Sequence, residues 1–139
     1  MNVAVTLVRA HILVGVAGML LFVLQGQYMG QTLLVPELPD GERLMYRSAH
    51  LYLMLACALN IVAGCYLPAV LGKLRLLASL LLLVAPLMLI YSFFAESTSP
   101  ELQRPVTVFA MYFIFAATLS LLAAGVWERW RAKPEPNQN

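Results

Sequence analysis

Two histidines stand inside long apolar stretches of this 139-residue chain, and their imidazoles are the side chains in it best suited to chemistry. A neutral imidazole binds haem iron, hydrogen-bonds a quinone carbonyl, or passes a proton near neutral pH. His50 has the richer surroundings. Arg47 stands one helical turn before it, a fitting partner for a haem propionate. Gln25 and Tyr28, on the preceding apolar stretch, supply hydrogen bonds for a quinone. His50, Arg47, Gln25 and Tyr28 are therefore the expected cofactor site, for haem b or a quinone, with His50 as the metal ligand in the haem case. His11, just after Arg9, is a further cofactor candidate at a helix start, where an imidazole is often simply solvated. A structural role competes: His50 bonding Gln25, with Arg47 reaching out to the interface.

Other chemistries find little support. No carboxylate falls inside an apolar stretch, which argues against a proton pump. There is no Ser/His/Asp arrangement, no glycine-rich phosphate loop and no nucleic-acid signature. Cys57 and Cys65 are eight residues apart, about 12 Å along a helix, beyond the ~7 Å Cα separation a disulfide tolerates. The methionines scatter over both depths and form no soft-metal set.

The elements that position these residues are four apolar runs, over residues 6–28, 46–67, 74–94 and 106–127. Each reaches the ~20 residues needed to cross a ~30 Å hydrocarbon core. The chain is 61% hydrophobic and 12% charged, against roughly 45–50% and 25% in soluble domains. The expected fold is an all-α integral membrane four-helix bundle, up-down-up-down, over residues 1–130, with a polar, disordered tail at 131–139. The first run is too long for a signal-peptide core and lacks a small-residue cleavage site, so it reads as retained.

Arg9, Lys73, Arg75, Arg129, Arg131 and Lys133 fall on the side of the termini, against Arg43, Arg47 and Arg104 on the other. The positive-inside rule then places both termini in the cytoplasm of a bacterial inner membrane. Three local features are expected. Leu33, Leu34 and Val35 lie along the membrane surface. Helix 4 starts early, at Ser99-Pro100-Glu101, so that Pro105 kinks it. Pro86 kinks helix 3 by removing a backbone N–H.

Spacing predicts how helices 1 and 2 meet. His11, Gly18 and Gln25 recur every seven residues, with Gly15 and Phe22 on the same face. His50, Cys57 and Gly64 recur likewise, with Met54 and Ile61 between them. Heptad seams and small residues favour close, left-handed packing. Antiparallel alignment sets Gly18 against Cys57, Gln25 against His50 and His11 against Gly64. The two histidines then lie ~15–20 Å apart in depth, too far to share one metal. The Ala-His segments of the two helices are also alike, as an inverted repeat would be.

Arg9-Ala-His11, with Gly18-Met19 and Phe22 following, resembles the first helix of the copper-resistance CopD and HemJ-type membrane proteins over about fifteen residues. That resemblance implies a link to haem through His11, though no matching basic motif follows later in the chain. Met45-Tyr-Arg-Ser-Ala-His50-Leu-Tyr, with Asn60 and Gly64, resembles a small four-span bacterial family without assigned function. The preferred reading is a membrane protein binding haem or quinone near His50 on the outer side. Alternatives are a structural or accessory bundle, self-assembled as a homodimer or joined to a larger complex, and a transporter working as an oligomer. The lipid bilayer is the one partner all readings share.

Overall fold

The computed structural model describes residues 3–66, 72–99, 101 and 103–131. They form α1 (Val3–Gln31), a single 3-10 turn (Val35–Glu37), α2 (Asp40–Tyr66), α3 (Lys73–Ala95) and α4 (Pro105–Arg131). All four α-helices are long and apolar enough to span a membrane, with mean hydropathy from 1.6 to 2.4 over their spanning windows. Their lengths of roughly 35–44 Å exceed the hydrocarbon core, so their ends reach the interfaces. The protein is a multi-pass four-helix membrane bundle. The side holding the start of α1 and the end of α4 is called the terminal side below; the α1–α2 and α3–α4 connections form the opposite, loop side.

The helices are not equivalent. α2 and α3 run through the centre, α1 lies against α2, α4 lies against α3, and among the described residues α1 and α4 do not touch. The central core is small and aliphatic: Leu53, Ala56 and Cys57 of α2, Ala85 and Leu89 of α3, Ala110 and Ile114 of α4. Alanines here let helix backbones approach, and lipid offers no hydrophobic drive that larger side chains would exploit.

The α1–α2 register is the one the heptad spacing predicts. Gly18 faces the Cys57 sulfur, Gly15 faces Ile61 and the Cys57 carbonyl, and Gly64 faces Ile12 and His11. At Gly15 a Cβ would come within 2.6 Å of Ile61, and at Gly64 within 2.6 Å of Ile12. These glycines are thus required by contact distance. Met54 departs from the expected seam; it is 37% exposed, facing outward.

Two local expectations are corrected, and α2 extends ahead of its apolar run. α2 begins at Asp40, where Asp40 and Glu42 oppose the helix dipole in the first turn and Arg43 pairs with Asp40. Val35 does not lie on the membrane surface. It is 2% exposed, in a small core with Met29, Tyr46, Ala49 and Phe93. Leu34 takes a left-handed conformation (φ 48°) just before it, a strain of about 1–2 kcal/mol offset by that burial. α4 starts at Pro105, so this proline occupies the first helical position, where its missing N–H costs nothing. The alternative start at Pro100 lies outside the described residues, as does the tail beyond Arg131. α3 runs continuously through the buried Pro86.

The glycine seam yields a prediction. In Gly18→Ala the new methyl overlaps the Cys57 sulfur, whereas the Cys57 Cβ lies 3.5 Å away, an ordinary contact. Thermal unfolding in detergent should show Gly18→Ala destabilised by about 1–3 kcal/mol. Adding Cys57→Ala should recover most of the loss; a double variant as weak as the two single losses summed would refute this register.

Candidate functional site

Deep in the bundle, three fully buried polar side chains from three helices converge: His11 of α1, Asn60 of α2 and Ser79 of α3. Asn60 Nδ2 donates to Ala56 O at 2.8 Å and to Leu82 O at 2.9 Å. That leaves Asn60 Oδ1 as an acceptor, so His11 Nδ1–H donates to it, at 2.7 Å. The imidazole is then neutral, and its Nε2 lone pair accepts from the Ser79 hydroxyl. Leu82 lies four residues before Pro86, so its carbonyl is the one stranded by the proline's missing N–H. Asn60 supplies the missing donor from a neighbouring helix.

This corrects the reading of His11 as a solvated residue near the interface. α1 begins eight residues before it, about 12 Å, and α2 and α3 close over the ring, leaving it 0% exposed. Both ring nitrogens and both Asn60 amide hydrogens are engaged. The junction is saturated and offers no free atom to a cofactor.

The loop-side site assembles differently. His50 is half-buried, and its Nδ1–H donates to Gln25 Oε1 at 3.0 Å, the bond predicted from spacing. Phe22 stacks on the imidazole at 3.9 Å between ring centroids, 13° from parallel. Gly26 leaves the ring edge clear: a Cβ there would be 3.5 Å from His50 Nε2. Nε2 itself has no partner among the described residues. Gln25 lies fourteen residues after His11 on α1, about 21 Å along the helix, so the two histidines occupy separate depths.

Beside this pair is an apolar-walled pocket of about 210 Å³, lined by Leu21, Leu24, Gln25 and Tyr28 of α1, Leu53 of α2, and Ile90 and Phe94 of α3. Tyr28 and Phe94 lie against each other on its wall, ring centroids 6.3 Å apart and planes tilted by 53°. The Gln25 amide nitrogen has no partner among the described residues and is not sealed in. Thus Gln25 and Tyr28 come together at one pocket with His50 behind Gln25. Arg47 stands apart: it is exposed and makes no hydrogen bond or ion pair among the described residues. No group of three His, Cys, Asp or Glu side chains suited to a metal occurs among the described residues.

Four charged residues take structural roles that their spacing does not reveal. Glu96, just past the end of α3, is 6% exposed. Its carboxylate accepts from Val106 N at 2.5 Å, Thr107 N at 3.0 Å and the Thr107 hydroxyl at 2.7 Å. It caps α4 from the end of α3, a long-range version of the familiar acidic N-cap. Next to it Arg104 donates to the Ser48 hydroxyl at 2.5 Å, and burial pushes its guanidinium below the ordinary arginine value. On the terminal side, Arg75 of α3 is buried against Glu128 of α4 at 2.7 Å. Only the apolar run's apparent end at residue 127 hid Glu128 from view as a helix residue.

Compared with known protein families, curated proteins and solved structures, the chain matches none. The likenesses seen in its first two helices therefore rest on the quoted residues alone.

The junction can be tested by removing its arms in turn. Asn60→Leu strips a partner from His11 Nδ1–H and from Leu82 O together and should cost about 1–3 kcal/mol. Ser79→Ala removes one membrane hydrogen bond and should cost about 0.6–1.7 kcal/mol. Chemical unfolding in mixed micelles should rank Asn60→Leu as the more damaging; the reverse order contradicts the bonding scheme.

Proposed function

We propose that this protein is a small carrier or accessory subunit of a bacterial inner membrane that holds a quinone, or a similar apolar ring bearing a carbonyl, in the loop-side pocket. With both termini cytoplasmic, as the basic residues favour, that pocket opens in the outer leaflet. The observation carrying the reading is Gln25. Its oxygen is committed to His50 while its amide N–H₂ is left without a partner on a residue lining an apolar pocket. The pocket wall is wholly apolar, and a carbonyl on a ring seated there would meet the Gln25 amide only at the pocket's edge, beside the Tyr28–Phe94 pair.

The volume supports quinone over haem. About 210 Å³ lies below the ~300–1,000 Å³ of pockets that engulf drug-sized ligands. It suits a single ring whose isoprenoid tail remains in lipid. Haem at His50 Nε2 is the weaker reading, because Arg47 does not converge with His50 and Gln25. In the proposed scheme His50 is a positioning residue: it orients Gln25, and the ring packs against the Tyr28–Phe94 pair. A purely structural bundle is the second reading, favoured by the saturated His11–Asn60–Ser79 junction.

Quinone extracted from the purified protein, and titration of the detergent-solubilised apoprotein with decylubiquinone, test this reading. Gln25→Leu should weaken binding about tenfold, and Tyr28→Phe should weaken it less. His50→Ala should weaken it while lowering stability only modestly. No retained quinone together with no titratable binding defeats the proposal. A Soret band in the wild type that is lost in His50→Ala would put haem in its place.

A further inference from the structure

We infer a second, independent site at the other end of the molecule: a cleft that binds an anionic phospholipid of the terminal-side leaflet, one acyl chain inside and its phosphate on Arg129. The cleft lies where α2 and α4 diverge above α3, and its volume is about 460 Å³. Its walls are aliphatic, and its rim residues Val62, Leu122 and Val126 are about half exposed, so it opens sideways toward lipid.

Three observations set the occupant. The first is length. The lining on α4 runs from Thr118 to Arg129, eleven residues or about 16 Å. This matches half of a ~30 Å hydrocarbon core, the depth of one leaflet. The second is charge. Arg75 and Arg129 both stand at the mouth. Arg75 is neutralised by Glu128, whereas Arg129 has no partner among the described residues. Of the two guanidiniums at the mouth, Arg129 is thus the one left without a partner among the described residues, and it takes a phosphate in a forked pair of hydrogen bonds. The third is Gly125. It lines the cleft, and a Cβ added there meets nothing within 4 Å. Helix packing does not require this glycine, unlike Gly15 and Gly18 of α1, and its effect is to leave room in the cleft. The Thr118 hydroxyl, buried without a hydrogen-bond partner among the described residues, sits at the blind end, beyond the reach of a phosphate at the mouth.

The test uses the full-length protein in a neutral detergent, with phosphatidylglycerol, phosphatidylcholine or palmitate added, read by native mass spectrometry and thermal shift. Phosphatidylglycerol should bind about fivefold more tightly than phosphatidylcholine. Arg129→Gln should erase that preference while leaving residual binding of both lipids. Gly125→Leu, whose Cβ meets nothing, puts a side chain into the cleft and should remove binding of both, with folding checked by circular dichroism. Thr118→Val should change nothing. Equal affinity for the two phospholipids overturns the inference, as does undiminished binding in folded Gly125→Leu. Preferential uptake of palmitate would identify a free fatty acid as the occupant instead. Loss of binding in Thr118→Val would mean a ligand that enters polar end first, and would also overturn it.

Discussion

A proline inside a membrane helix strands the carbonyl one turn before it, and hydrocarbon has no water to satisfy that oxygen. In this protein Pro86 strands Leu82 O, and Asn60 of the neighbouring helix donates to it at 2.9 Å. The same side chain accepts from His11 on the opposite flank. One amide therefore ties α1, α2 and α3 together at a fixed depth. Sliding α2 by a single turn would leave the Leu82 carbonyl, the imidazole and the Asn60 amide all unpaired in an apolar medium. Such a slip costs several unpaired groups at ~1–3 kcal/mol each, which makes the register discrete.

The two ends of the bundle inherit their character from that anchor. On the loop side the anchored α1–α2 seam carries Gln25 to His50, with Gly18 and Gly15 allowing the approach between them. There Glu96 docks the start of α4 against the end of α3. On the terminal side the cleft opens between α2 and α4 beyond the small core of Ala63, Ala78, Leu82 and Ala117, and the Arg75–Glu128 pair ties α3 to α4 there. Because α1 and α4 stay apart, both cavities face the lipid laterally, a geometry suited to ligands that diffuse within the bilayer.

Much of this was legible in the residues. Four long apolar runs imply four spans directly, since the bilayer fixes their length. The seven-residue spacing of His11, Gly18 and Gln25 against His50, Cys57 and Gly64 sufficed to align α1 with α2, because only one antiparallel register brings small residues opposite large ones and Gln25 opposite His50. The junction was harder. Asn60, Ser79 and Pro86 each stand out singly, and their pairing depends on how α3 rotates against α2; the buried seven-residue series Ala78, Ala85, Ser92, with Ser79 and Pro86 beside it, carries that angle but is faint within a leucine-rich run. The signal that could have found it was the stranded carbonyl itself: a proline in an apolar helix demands a donor, and Asn60 is the one amide deep in a neighbouring span. Glu96 was hidden for a related reason, since a carboxylate just beyond a helix end gives no sign that it folds back to cap the next helix.

The register of the bundle rests on Asn60 satisfying the carbonyl that Pro86 strands, and a double-mutant cycle measures that directly. Unfolding free energies in detergent would be compared for the wild type, Asn60→Ala, Pro86→Ala and the double variant. Pro86→Ala restores the backbone N–H to Leu82 O, so Asn60→Ala should cost less in that background, with a coupling of about 0.5–1.5 kcal/mol. Costs that simply add, to within ~0.3 kcal/mol, would show that the two residues do not share the carbonyl and would contradict the account.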